Sequence, residues 1–185
     1  PLSGNKGSTM EGGMRVPMIA RWPGRIAANS TCKELSSTMD FLPTFATISE
    51  AKLSGAKIDG FDISPLLLGK ENAASPYEVF YYYRRRQLQA IRWGDWKWHL
   101  PLEKTHPNWT TPKATGRGHP ARLYNLAKDI REKNNVLKDN PEVIKEMRKL
   151  AKEAVSRIGN DSAGGSEARP ALTLKTSAPL VLKKK

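Results

Sequence analysis

The sequence predicts an α/β chain in which a small antiparallel sheet packs with one helix. Two observations carry that reading. Between Glu78 and Leu100, an aromatic run (Glu78-Val79-Phe80-Tyr81-Tyr82-Tyr83) precedes two segments that alternate polar and apolar residues, Gln87–Trp93 and Trp96–Leu100, with Gly94-Asp95 between them. β-prone residues with a period of two and a glycine turn describe a hairpin-linked meander. From Asn140 to Gly159 the period changes: Val143, Met147, Leu150, Ala151, Ala154 and Ile158 fall on one stripe of a helix.

The other elements follow in chain order. Gly4, Gly7, Gly12 and Gly13 punctuate the start, where glycine lets backbone approach a ligand or another strand closely. Arg15–Trp22 reads as a short strand entered through Pro17 and closed by Pro23-Gly24. Phe41, Leu42, Phe45 and Ile48 have helical spacing; Ser37, Thr38 or Asp40 can cap that helix, and Pro43 falls in its first turn. Ser64–Gly69 is a helical turn or loop, and Pro101–Pro120 a loop rich in Pro, Gly and Thr. Arg122–Leu126 is one more short strand. The long helix is capped by Asn140, has Pro141 at its first position and Glu142 against its positive dipole end, and stops at Gly159. Beyond Asn160 there is no aromatic residue, and Ser, Ala, Gly, Pro and Lys lead to Lys183-Lys184-Lys185, the composition of a disordered basic tail.

Bulk properties restrict function only loosely. The chain has 185 residues and a net charge of +13. That charge permits binding to nucleic acid, an anionic membrane or an acidic polysaccharide without requiring any of them. Cys32 is the one cysteine, so an intrachain disulfide and a thiolate metal cage are excluded; a small, partly buried side chain is the expectation for it. No stretch approaches the roughly 20 apolar residues that cross a bilayer. The chain opens on Pro1-Leu2-Ser3-Gly4 without a basic or apolar leader, so any signal peptide is expected on residues preceding these.

An ordered series of motifs resembles the type I, arylsulfatase A-like sulfatases. Gly4–Pro17 is similar to the family's G-x-K-G-[ST]-T-x-E-G-G-x-R-x-P segment, with Trp22-Pro23-Gly24 after it. Ser37–Thr44 is similar to S-x-x-D-[LFI]-x-P-T. Asp59-Gly60-Phe61-Asp62, Arg92–Lys97, and Leu123-Tyr124-Asn125-Leu126 with Asp129, Glu132 and Asn135 complete the series. Collinear motifs are far more specific than any one alone.

The resemblance implies an alkaline-phosphatase-like fold. Residues 1–75 would end its large mixed-sheet α/β domain, 76–159 would form the C-terminal antiparallel sheet and helix, and 160–185 the tail. It implies a sulfuric ester hydrolase that uses a formylglycine nucleophile and calcium. Both are expected from residues upstream of this chain, since Cys32 is followed by Lys33-Glu34-Leu35 rather than x-P-S-R. A chain without them would be inactive alone. The residue carried over is Lys6, which in relatives reaches the sulfate; His106 is a second candidate, as a substrate contact. No metal ligand is assigned here, Asp59 and Asp62 being read as turn formers. Sulfated small molecules or polysaccharides, and the preceding sulfatase domain, are the implied partners. Like most bacterial relatives the protein would be periplasmic or secreted, although composition leaves the compartment open.

The remaining features have plainer readings. His99, on a strand beside Trp98, is expected to be packed, and His119 to lie in a loop. Glu11 and Arg15 are expected to pair or cap locally, and Arg84-Arg85-Arg86 to be a charged turn rather than a nucleic-acid contact. One alternative to the enzyme stays open: a noncatalytic basic module that binds sulfated glycan or nucleic acid.

Overall fold

The computed structural model describes residues 2–106, 116–161 and 163–169. After the glycine-rich opening comes a single helical turn, α1 (Glu11–Met14). Residues 15–22, expected as a strand, are mostly exposed coil. A strand exists only where a neighbour accepts its N–H groups and donates to its C=O groups, and no described strand lies alongside this segment.

Asp40 organises the next region. It is fully buried at the end of a 3-10 turn (Thr38–Asp40) that runs into α2 (Phe41–Ile48). Ser37 and Asp40 form a reciprocal capping box, in which the Ser37 amide donates to Asp40 Oδ2 at 2.7 Å. The Phe61 amide donates to Asp40 Oδ1 at 2.9 Å, and the Tyr77 hydroxyl donates to the same oxygen. One carboxylate thus gathers the cap, the Asp59–Asp62 turn and the approach to the sheet. Asp62 accepts from the Ser64 amide at 2.8 Å and starts α3 (Ser64–Leu67), as expected of a turn-forming aspartate.

The sheet is antiparallel with order β1-β2-β3-β6, from β1 (Val79–Arg84), β2 (Gln87–Trp93), β3 (Trp96–His99) and β6 (Arg122–Asn125). Arg85-Arg86 turns β1 into β2, the charged turn expected of the arginine run. Within the segment expected as an unbroken loop, β4 (Leu102–Thr105) and β5 (Gly116–His119) pair as a separate ribbon. Their cross-strand bonds satisfy backbone that composition alone assigned to coil.

Helix α4 (Pro141–Arg157) covers one face of the sheet. Leu88, Ile91, Trp98 and Leu123 meet Ile144, Met147, Ala151 and Ala154 in the core. Ile144 belongs to this contact although the stripe drawn from sequence omitted it, and Ile158 is 42% exposed at the helix end. Asn140 occupies the N-cap position without a side-chain cap; its amide donates instead to the Val136 carbonyl at 2.8 Å. The described start of the expected tail is ordered. β7 (Gly159–Asn160) and β8 (Ala163–Gly164) form a hairpin, Asn160 Oδ1 accepts from the Leu88 amide at 2.9 Å, and Glu167 pairs with Lys57 at 2.7 Å. Residues 170–185 of that tail lie outside the described residues.

Met147 is 0% exposed at the centre of the helix–sheet contact. Met147→Ala is therefore expected to lower stability by about 2–5 kcal/mol, and Lys145→Ala on the outer face by less than about 0.5 kcal/mol, in urea titrations. Equal shifts for the two variants would contradict this packing.

Candidate functional site

The sheet face opposite α4 is polar and also buried. A bulge sets it up: Tyr82 opposes Ala90 and Tyr83 opposes Leu88, which leaves Gln89 as the extra residue of β2. Leu88 and Ile91 turn to the helix, whereas Gln87, Gln89, Lys97 and His99 are buried away from it. The glycine-rich segment covers these side chains. Thr9 Oγ1 meets Gln89 Oε1 at 3.3 Å, and Gln89 Nε2 donates to Gln87 Oε1 at 2.7 Å.

Lys97 lies at the centre of this face, fully buried. Its ammonium donates to Glu11 Oε1 at 2.7 Å, lies 3.1 Å from Glu132 Oε1 and stands 4.4 Å from the Tyr82 ring centre. The ammonium thus stands among two carboxylates and one aromatic face. Glu132 Oε2 also accepts the Glu11 backbone amide at 2.6 Å, and its Oε1 lies 2.7 Å from His99 Nε2. Arg15 pairs with the other Glu11 oxygen, as local pairing had suggested. Burial by itself would raise both carboxyls. The Lys97 charge and hydrogen bonds from Lys97 and Arg15 hold Glu11 below the usual range; His99, Lys97 and the Glu11 amide do the same for Glu132. His99 is pushed down, chiefly by burial and against the pull of Glu132, so the neutral ring donates through Nε2.

Glu132 reaches this position from a loop shaped by its own side chains. Asp129 Oδ2 accepts from the Lys133 and Asn134 amides at 2.8 and 2.7 Å. Asn135 Oδ1 accepts from the Leu123 amide at 2.9 Å and so ties the loop to β6. Glu132 itself adopts φ 53.

Lys6 lies at the exposed middle of a closed backbone ring. The Gly12 amide donates to the Ser3 carbonyl at 2.8 Å and closes it; the Ser8 amide donates to the Asn5 carbonyl at 3.0 Å and tightens the tip. A side chain on Gly12 or Gly13 would strike the carbonyl of Ser3 at 2.6 Å or of Ser8 at 2.3 Å, which explains the paired glycines. Ser3 Oγ donates to the Arg131 carbonyl and Glu11 engages Lys97 and Glu132, so both feet of the ring stand on the same support.

His106, the second candidate, follows β4. Its amide donates to Gln87 Oε1 at 3.2 Å, and its ring pairs with Asp161 through Nε2. Thr9, Gln89, Gln87 and His106 therefore form one polar chain from the Lys6 ring to the His106 backbone. Asp161 and the two glutamines are not singled out from sequence; the polar positions in the β2 alternation hint at the glutamines, and nothing local hints at Asp161. His99 is packed, as expected, and His119 lies in β5 rather than a loop. Cys32 is exposed, not partly buried. A groove lined by Glu78, Trp93, Glu142 and Glu146 lies on the helix side, and its carboxylates would repel an anion. Among the described residues no group of three or more His, Cys, Asp or Glu side chains can hold a metal ion, and no helix is long and apolar enough to cross a membrane.

A family model described as the C-terminal region of aryl-sulfatase matches residues 75–174, and one described as N-sulphoglucosamine sulphohydrolase, C-terminal, matches residues 5–99. Arylsulfatase A of Homo sapiens is 37% identical over 161 residues, covering 78% of this chain and 31% of that protein. A solved structure concerned with the metabolism of multiple glycosaminoglycans by Bacteroides thetaiotaomicron superposes with TM-score 0.69 at 31% identity, over 84% of this chain and 32% of that one. A sulfatase from Pseudoalteromonas sp. superposes with TM-score 0.68 at 28% identity, over 84% of this chain and 32% of that one. The chain spans about a third of the length of the curated relatives it matches.

The buried cluster has a consequence for pH. Glu11, Glu132 and His99 each hold a proton less tightly folded than unfolded, so the unfolded chain binds more protons and stability rises with pH. The urea midpoint is expected to begin falling as pH drops below about 6.5, where the unfolded imidazole is protonated, and more steeply below about 4.5. Glu132→Gln should flatten the acid limb. A midpoint constant from pH 7 to pH 4 would contradict the cluster.

Proposed function

The chain belongs to the type I sulfatase family, whose C-terminal region it carries, and on that footing we propose that it serves the hydrolysis of sulfate esters. One observation carries the reading: the family match extends through residues 5–99, where a closed backbone ring presents Lys6. A sulfate ester spreads negative charge over its oxygens, and more charge reaches the leaving oxygen as the S–O bond breaks. An ammonium on a ring that is already closed stabilises that charge with little reorganisation. His106, its ring paired with Asp161, is proposed as a contact to the rest of the substrate.

The nucleophile and the metal are proposed to come from residues outside this chain. The sequence has no C-x-P-S-R motif, so a formylglycine would be supplied elsewhere. Calcium, where bound, would add positive charge at the sulfate oxygens. Among the described residues no cluster of His, Cys, Asp or Glu side chains could hold it. The chain alone is proposed to be inactive. A net charge of +13 suits a sulfated small molecule or polysaccharide as substrate, with affinity that weakens as salt rises.

The test is turnover of a chromogenic sulfate ester in the presence of calcium. This chain is compared with a protein extended by the family's N-terminal region. Activity is expected only in the extended form, with Lys6→Ala lowering kcat/KM by about 100-fold or more. A Lys6→Ala protein within twofold of wild type would remove Lys6 from the site. An inactive extended protein with a verified nucleophile, which still binds sulfated polymer, would favour the noncatalytic basic module.

A further inference from the structure

We propose that Lys97, Glu11 and Glu132 form a positioning clamp that sets where the Lys6 ring stands, so that residues far from the sulfate govern how well Lys6 meets it. The inference rests on the sulfatase reading for what Lys6 does, but the clamp itself is read from geometry. The ring runs from Ser3 to Gly12 and is closed by the Gly12 amide on the Ser3 carbonyl at 2.8 Å. Closure fixes the ring's shape and not its placement. Placement comes from three contacts at its feet: Ser3 on the Arg131 carbonyl, the Glu11 amide on Glu132 at 2.6 Å, and the Glu11 carboxylate on Lys97 at 2.7 Å.

Those contacts converge on adjacent residues, Arg131 and Glu132, and on one strand, β3. Elements more than 80 positions apart in sequence thus share a single anchor. Lys97 and Glu132 have side-chain exposures of 0%, and Glu11 of 2%. Water cannot replace a lost partner there, so the cluster holds one arrangement instead of a range of them. Lys6 is five residues from Glu11, and Thr9, between them, contacts Gln89. A tilt of the feet therefore moves the ammonium at the tip. Misplacement of a catalytic group by about 1 Å can cost on the order of 100-fold in rate.

The experiment uses Glu11→Gln combined with Lys97→Met, which removes one charge of each sign and so keeps the net charge of the cluster; Glu132 retains its contacts with His99 and the residue-11 amide, and Arg15 is left to solvent. Glu132→Gln is a second, nearly isosteric variant. Amide exchange is read at Glu11 and Gly12 and, as a folding control, in β2 and β3. Steady-state kinetics with a chromogenic sulfate ester are measured on the full protein. The expected result is exchange at Glu11 and Gly12 faster by about tenfold or more with β2 and β3 still protected, together with a kcat/KM lower by about tenfold or more. Exchange unchanged at Glu11 and Gly12 in both variants would overturn the clamp. Faster exchange with unchanged kcat/KM would overturn its role in placing Lys6. Wild-type protein without sulfatase activity would overturn the functional reading instead, and the exchange result would still decide whether the clamp exists.

Discussion

A buried ammonium must be compensated by groups around it, and Lys97 has Glu11, Glu132 and the face of Tyr82. Much of the site depends on that requirement. Glu11 is drawn under the sheet, and the glycine-rich ring comes with it. Glu132 is drawn in from the loop after β6, and that loop needs Asp129 and Asn135 to hold its shape. The resulting cluster is charge-balanced, with Lys97 and Arg15 against two carboxylates and His99 neutral beside them. Removing one member strands another in a place without water, where the cost is typically several kcal/mol.

The same logic recurs at Asp40. A single buried carboxylate there accepts from Ser37, Phe61 and Tyr77 and joins three segments. In both places a short sequence motif proves to be one half of a long-range hydrogen-bond set. The acidic residue supplies the acceptors, and the other motif supplies backbone amides or an ammonium. That division gives Glu11, Asp40 and Glu132 a structural role: each holds separate segments of the chain together.

Much of this was legible in the sequence, and the exceptions have physical reasons. The meander was read correctly because aromatic β-formers, alternation and Gly94-Asp95 agree locally; α4 was read correctly because its stripe and its Pro141 start agree. The 15–22 segment failed because strand character depends on a partner that local pattern cannot report. The β4–β5 ribbon failed because Gly116 and Gly118 look like loop yet pair across to Thr105 and its neighbours. The polar face of β2 and β3 was visible as alternation, but alternation states which residues share a face and not what covers it. The cover, Glu11, lies 86 positions from Lys97, and a pair so separated leaves no periodic trace. Lys6 and His106 enter as proposals only through motif resemblance, since a lysine in a glycine loop and a histidine after a strand carry little local signal. What the resemblance did not supply was their support: Gln87, Gln89, Asp161 and the Lys97 cluster.

The most direct measurement on the central claim is a double-mutant cycle between Glu11 and Lys97. Unfolding free energies are compared for wild type, Glu11→Gln, Lys97→Met and the double variant in urea at neutral pH. A shared buried ion pair predicts a coupling energy of about 2 kcal/mol or more, with the double variant more stable than the sum of the single losses implies. Additive losses, within about 0.5 kcal/mol, would contradict the account, because the ring and the sheet would then be joined by something other than this pair.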